Sequence, residues 1–178
     1  MAASAKPIAI VQGASSATIQ ELFRAFVSRV SAQVVGVVEE ACGAPTRACG
    51  PGRLLSLTDG LGYSLFQELG EGSGACALDP QGVILAGEAV RRDVARGCDL
   101  VLLSKFGKLE AENRAGLIPA FVAAIEAGVP VLTSVSPKYA DAFAAFAAPF
   151  YTVLPPEAQA IDSWWDTVRV QVPGRYAV

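Results

Sequence analysis

Histidine is absent from all 178 residues. That excludes Ser-His-Asp and Cys-His catalysis and removes the commonest transition-metal ligand. Any acid or base must be Asp, Glu, Lys, Tyr or Cys. The four cysteines stand at 42, 49, 76 and 98 with no Cys-x-x-Cys pair, so the usual zinc spacing is missing and no metal site is expected. In a reducing compartment they are expected to be free thiols. No apolar run approaches the roughly 20 residues of a membrane span. The opening Met-Ala-Ala-Ser-Ala-Lys-Pro runs straight into a strand without the apolar core of a signal peptide, so a cytoplasmic location is expected. Positive charge is not in excess: 14 Lys and Arg face 17 Asp and Glu, and the net charge of -3 offers no electrostatic case for nucleic acid. Repeats and low-complexity linkers are also lacking. With 52% apolar residues the chain can bury a full core, which predicts one α/β domain over residues 1–178.

The most informative stretch runs from Asp99 to Arg114. Its unbroken apolar segment Leu100 to Leu103 reads as a strand of a parallel sheet, covered on both faces. It gives way to Lys105, Lys108, Glu110, Glu112 and Arg114. Ligands of open α/β sheets sit beyond the carboxyl ends of such strands, so these charges should lie near a site. Asp99, at the strand's start, should lie at the far end.

Pro7 to Val11 is a second apolar run. The helix after it carries Ile19, Leu22, Phe23, Phe26, Val27 and Val30 on one stripe, with Ser16 or Thr18 as its expected N-cap. Strands are predicted at 34–38, 99–106, 129–135 and 150–154. Helices are predicted at 80–96, 115–127, 138–147 and 157–168, with Gly97 and Gly128 as stops. Val83, Gly87, Val90 and Val94 should face inward on the second helix, and Leu117, Ile118, Phe121, Val122 and Ile125 on the third. Between 42 and 79 glycines recur, and short strands at 53–57 and 64–69 suggest a small antiparallel insertion. Alternation of strand and helix predicts three layers, a mostly parallel sheet with helices on both faces. Segments 7–13 and 99–106 are expected to run side by side in the same direction. Of Trp164 and Trp165, at least one is expected in the core.

Three loops could carry chemistry. Gly13 to Thr18 aims backbone N–H groups and a helix start at one point, which suits phosphate or another oxyanion; Gly13, Ser15, Ser16 and Thr18 are the candidates. An ordinary capped helix start would look the same. The loop is not a Walker A sequence: Thr18, Ile19 and Gln20 stand where the second Gly, the Lys and the Ser/Thr belong. Residues 70–74 alternate glycine, so Gly72, Ser73 and Gly74 could form an anion-binding nest, or merely a flexible hairpin. In the third loop Lys105 and Lys108 could neutralise an anion, while Glu110 or Glu112 could orient water or hold magnesium through water. A solvated, salt-bridged loop is the plainer alternative.

The segments Phe66 to Asp79, Asp99 to Glu112 and Gly128 to Thr133 resemble domain-of-unknown-function family 2478, a bacterial family associated with molybdate-transport genes. The Lys105-Phe-Gly-Lys-Leu-Glu110 segment is also similar to the Gly-Lys-x-Glu region of small P-loop nucleoside triphosphatases. The resemblance implies a P-loop-like fold, weight on Lys105, Gly107, Lys108 and Glu110 as site residues, and a link to molybdenum or tungsten. The leading expectation is a protein that binds a nucleotide or a tetrahedral oxyanion: phosphate, molybdate or tungstate. The alternatives are a slow magnesium-dependent nucleoside triphosphatase with Glu110 placing water, and a non-catalytic structural or regulatory partner. The composition permits a homodimer.

Overall fold

Strands that are apolar on both sides need cover on both sides, and helix stripes supply it. In the computed structural model, which describes residues 6–41, 52–67 and 77–170, the chain begins with β1 (Ile8–Val11), α1 (Ser16–Arg29) and β2 (Val34–Ala41). Four short strands follow: β3 (Gly52–Ser56), β4 (Gly62–Ser64), β5 (Phe66–Gln67) and β6 (Ala77–Leu78). Then come α2 (Pro80–Arg96), β7 (Leu100–Leu103), α3 (Lys108–Asn113), α4 (Ile118–Glu126) and β8 (Val131–Ser134). A 3-10 turn (Pro137–Tyr139), α5 (Ala140–Ala147), β9 (Tyr151–Leu154) and α6 (Ala158–Arg169) complete the described chain. None of its helices is long and apolar enough to cross a membrane.

The main sheet has the order β4-β3-β2-β7-β8-β1-β9. The five strands from β2 to β9 are parallel, whereas β3 and β4 join antiparallel at one edge. The antiparallel insertion is therefore partly annexed to the main sheet, and only β5 and β6 pair separately. Alternate strand residues feed two cores. Ile8, Ile10, Val101, Leu103 and Val131 pack with α2, α4 and α5, while Ala9, Val11, Leu100, Leu102 and Leu132 pack with α1 and α6. The chain thus forms the predicted three layers. Both Trp164 and Trp165 are buried, and the Trp164 indole donates to the Lys6 carbonyl at 3.0 Å.

Four expectations need correction. Segments 7–13 and 99–106 do run in the same direction, but β8 lies between them, so they are about 10 Å apart rather than adjacent. The α1 cap is Ser15, not Ser16 or Thr18: Ser16 is already helical, and Thr18 N–H donates to Ser15 Oγ at 3.2 Å. The inner face of α4 is also rotated. Phe121 is buried with Ala120 and Ala124, whereas Val122 and Ile125 are 38% and 45% exposed. Bulk misled that reading, because α2 and α4 meet closely and small residues are what fits: a Cβ on Gly87 would lie 2.2 Å from the Gly116 carbonyl oxygen. The charged run 108–113, read as loop, is the helix α3; it closes at Arg114, which adopts the left-handed conformation at φ 50°.

After β1 the chain turns onto one face of the sheet as α1, and after β8 onto the other as α5. The carboxyl ends of these neighbouring strands diverge there, which is the topological switch point where open α/β sheets bind ligands.

Candidate functional site

Six polar or charged side chains are buried among the described residues: Gln20, Ser56, Ser104, Glu110, Thr133 and Ser134. All but Ser56 gather at one edge. Thr133 and Ser134 end β8, Ser104 follows β7, and Gln20 and Glu110 sit in the early turns of α1 and α3. Buried polar atoms must find partners, and Gln20 and Ser134 find them on neighbouring strand ends. Ser134 Oγ donates to the Ser104 carbonyl at 2.8 Å, and Gln20 Nε2 donates to the same carbonyl at 2.9 Å. Gln12 Nε2 reaches the Val135 carbonyl at 2.9 Å, tying the end of β1 to that of β8.

Gln20 also closes a circuit. Its Oε1 accepts from the Glu39 N–H at 2.8 Å, and the Glu39 carboxylate takes the Lys105 ammonium at 2.9 Å. Lys105 follows Ser104, whose carbonyl returns to Gln20. Arg24 Nη1 adds a bond to the Glu39 carbonyl at 2.7 Å. The loop therefore locks α1, β2 and β7 together at their site-facing ends. None of Gln12, Arg24, Glu39, Ser104 or Ser134 stood out in the sequence. Gln20 carried a signal, a polar residue beside Ile19 at a helical position that turns inward.

The candidates named from sequence divide into groups. Gly13, Ser15, Ser16 and Thr18 are exposed at the start of α1. Gly13, at φ +106°, faces Pro156, where an added Cβ would come within 3.3 Å of the proline ring. The Ser15 hydroxyl is already engaged, with Thr18 Oγ1 at 2.9 Å and the Thr18 N–H. As a cap it should matter to stability: Ser15→Ala is expected to cost about 1 kcal/mol in urea unfolding, and an unchanged midpoint would contradict the capping geometry.

Lys105 and Lys108 stand past β7 on the same edge, Lys105 half-buried on Glu39 and Lys108 exposed as the first residue of α3. Glu110 does not face solvent. Its Oε2 accepts from the Gly107 N–H and its Oε1 from the Leu117 N–H, both at 2.9 Å. Glu112 is exposed, with Tyr139 Oη 3.4 Å away. Asp99 lies at the opposite end of β7, accepting from the Gln33 N–H at 2.7 Å, as expected. Gly72, Ser73 and Gly74 lie outside the described residues.

Comparison with known proteins agrees with this architecture. The crystal structure of THEP1 from the hyperthermophile Aquifex aeolicus superposes with a TM-score of 0.59 over 94% of this chain and 98% of that one, at 13% identity. The fold is P-loop NTPase-like. In sequence, 111 residues are 40% identical to part of the molybdenum import ATP-binding protein ModC 2 of Bradyrhizobium diazoefficiens. That segment is 62% of this chain but only 12% of the relative, so the chain spans a small fraction of the curated protein it matches. A family model described as a protein of unknown function, DUF2478, matches residues 8–164, and the chain belongs to that family.

Proposed function

We propose that this chain binds a nucleotide or a tetrahedral oxyanion at the carboxyl edge of β1, β8 and β7, and that it serves molybdate or tungstate handling. The observation that carries the reading is the concentration of buried polar side chains at that edge, beside Lys105 and Lys108. Away from that edge, Ser56 is the one buried polar side chain among the described residues. A sheet edge furnished this way, at the switch point of a P-loop-like fold, suits a small anion. The metal comes from the relative, whose name places it in molybdenum import.

This reading assigns the chain binding rather than conventional ATP hydrolysis. An ATP-binding import protein needs an intact Gly-x-x-x-x-Gly-Lys-Ser/Thr loop somewhere in its length, and residues 13–20 are not one. The shared segment is only 12% of that ATP-binding protein, so most of the relative lies outside the match. The present chain would then be the counterpart of a companion module.

Calorimetric titration with ATP, GTP, phosphate, molybdate and tungstate tests the proposal. Heat is expected with at least one of them, and Lys108→Ala should weaken that binding about tenfold, the effect of one lost charged hydrogen bond. Silence with all five ligands would dismiss it.

A further inference from the structure

We infer that any anion held at this edge is bound without magnesium, an inference that rests on the anion-binding reading above. A P-loop magnesium site needs a Ser/Thr hydroxyl directly after the loop lysine and an acidic residue to complete the coordination. Counting from Gly13 puts the lysine at position 19 and the hydroxyl at position 20. Ile19 is 5% exposed and packs in the apolar cluster beneath α1. Gln20 is 1% exposed, and both ends of its amide are in use.

The orientation of that amide is fixed by its partners. Nε2 faces the Ser104 carbonyl at 2.9 Å and Oε1 faces the Glu39 N–H at 2.8 Å. Flipping it would set NH2 against N–H and oxygen against carbonyl. Turning Oε1 toward a cation would strand the Glu39 N–H in a half-buried place. Gln20 therefore fills the position of the metal-binding hydroxyl with a brace between two strands.

The acids fit no better. β7 and β8 lead into Ser104 and end in Ser134, neither of them acidic. Glu39 is paired with Lys105 at 2.9 Å, Glu110 spends both oxygens on backbone N–H groups, and Glu112 is exposed beside Tyr139 Oη at 3.4 Å, a lone carboxylate. Among the described residues no group of three His, Cys, Asp or Glu side chains is placed to hold a metal ion. The residues present do not fit magnesium. Charge compensation must come from the protein itself, with exposed Lys108 at hand and Lys105 shared with Glu39. That narrows the ligand class to anions recognised by lysine charge and hydrogen bonds alone.

The test is calorimetry on the intact chain with ATP, phosphate and molybdate, each titrated in EDTA and in excess magnesium. Affinities for phosphate and molybdate should agree within about twofold between the two buffers, and ATP should bind no more tightly with magnesium. Tightening of about tenfold or more by magnesium, for any probe, overturns the inference while leaving the anion-binding reading intact. Silence in both buffers overturns that reading and the inference with it. Electron paramagnetic resonance of manganese gives an independent arm. The free-ion signal should persist when the protein is added, and loss of signal in proportion to protein would also overturn the inference.

Discussion

Gly36→Ala is expected to abolish folding or to remove most of the protein's stability. Gly36 lies in β2 opposite Leu102 of β7, in the one parallel ladder that joins β2 to the rest of the sheet. Its φ is +134°, where an L side chain is strained, and a Cβ there would sit 1.8 Å from the Leu102 carbonyl oxygen and 2.7 Å from its carbon. Backbone cannot yield as a flexible side chain can. The two strands would have to part, and with them the register from Val34 and Leu100 to Val37 and Leu103. The Gln20, Glu39 and Lys105 circuit spans the same two strands and would open too. A loss above about 4 kcal/mol is expected, a large share of the 5–15 kcal/mol that holds a typical domain folded. Gly60→Ala supplies the comparison. Gly60 also has positive φ, +73°, but nothing lies within 4 Å of its added Cβ. There only the conformational penalty remains, about 1 kcal/mol. Urea unfolding separates the two, and a Gly36→Ala protein with the wild-type midpoint would refute the described pairing of β2 with β7.

What could be read from the sequence followed from burial. β1, β7 and β8 are covered on both faces, so each shows an uninterrupted apolar run and needs no alternation to be found. In α1, Ile19, Phe23 and Phe26 form a stripe wide enough to survive any error in its start. Val83, Gly87, Val90 and Val94 of α2 all face inward as spaced. Where helix meets helix the rule weakened, because close approach selects alanine over valine and isoleucine, as α4 shows with Ala120 and Ala124. Strand order was beyond local reading. Nothing within residues 7–13 or 99–106 says that β8, some 30 residues further along, inserts between them. The same holds for the site. Lys105 could be placed at a strand end from its neighbours, but its partner Glu39 lies 66 positions away. Gln20 could be seen to replace a hydroxyl, while its two backbone partners depend on how β2 and β7 come together.

Glu110 separates a clamp from a catalyst, and its removal is expected to have the second-largest effect. The alternative of a slow triphosphatase makes it the residue that places an attacking water. In the fold Glu110 is 5% exposed, and its carboxylate reaches back to the Gly107 N–H and forward to the Leu117 N–H. It thereby fastens α3, which starts at Lys108, to the entrance of α4. Gly116 permits this, since a Cβ there would lie 2.3 Å from Glu110 Oε1. Glu110→Ala strands two backbone donors at once, and a loss of about 3 kcal/mol or more is expected from two hydrogen bonds to a charged acceptor. Glu110→Gln keeps one acceptor oxygen but turns its NH2 group toward the other N–H, so about 2 kcal/mol should go. A water-placing carboxylate makes the opposite forecast: Glu110→Gln would leave the unfolding midpoint nearly untouched and would end any phosphate release. Urea unfolding and a phosphate assay on the same folded samples decide between them. A lowered midpoint with any phosphate release retained marks a side chain that positions Lys105 and Lys108 through the turn between them. An unshifted midpoint with release lost would return Glu110 to the chemistry and would require its carboxylate to leave both N–H groups.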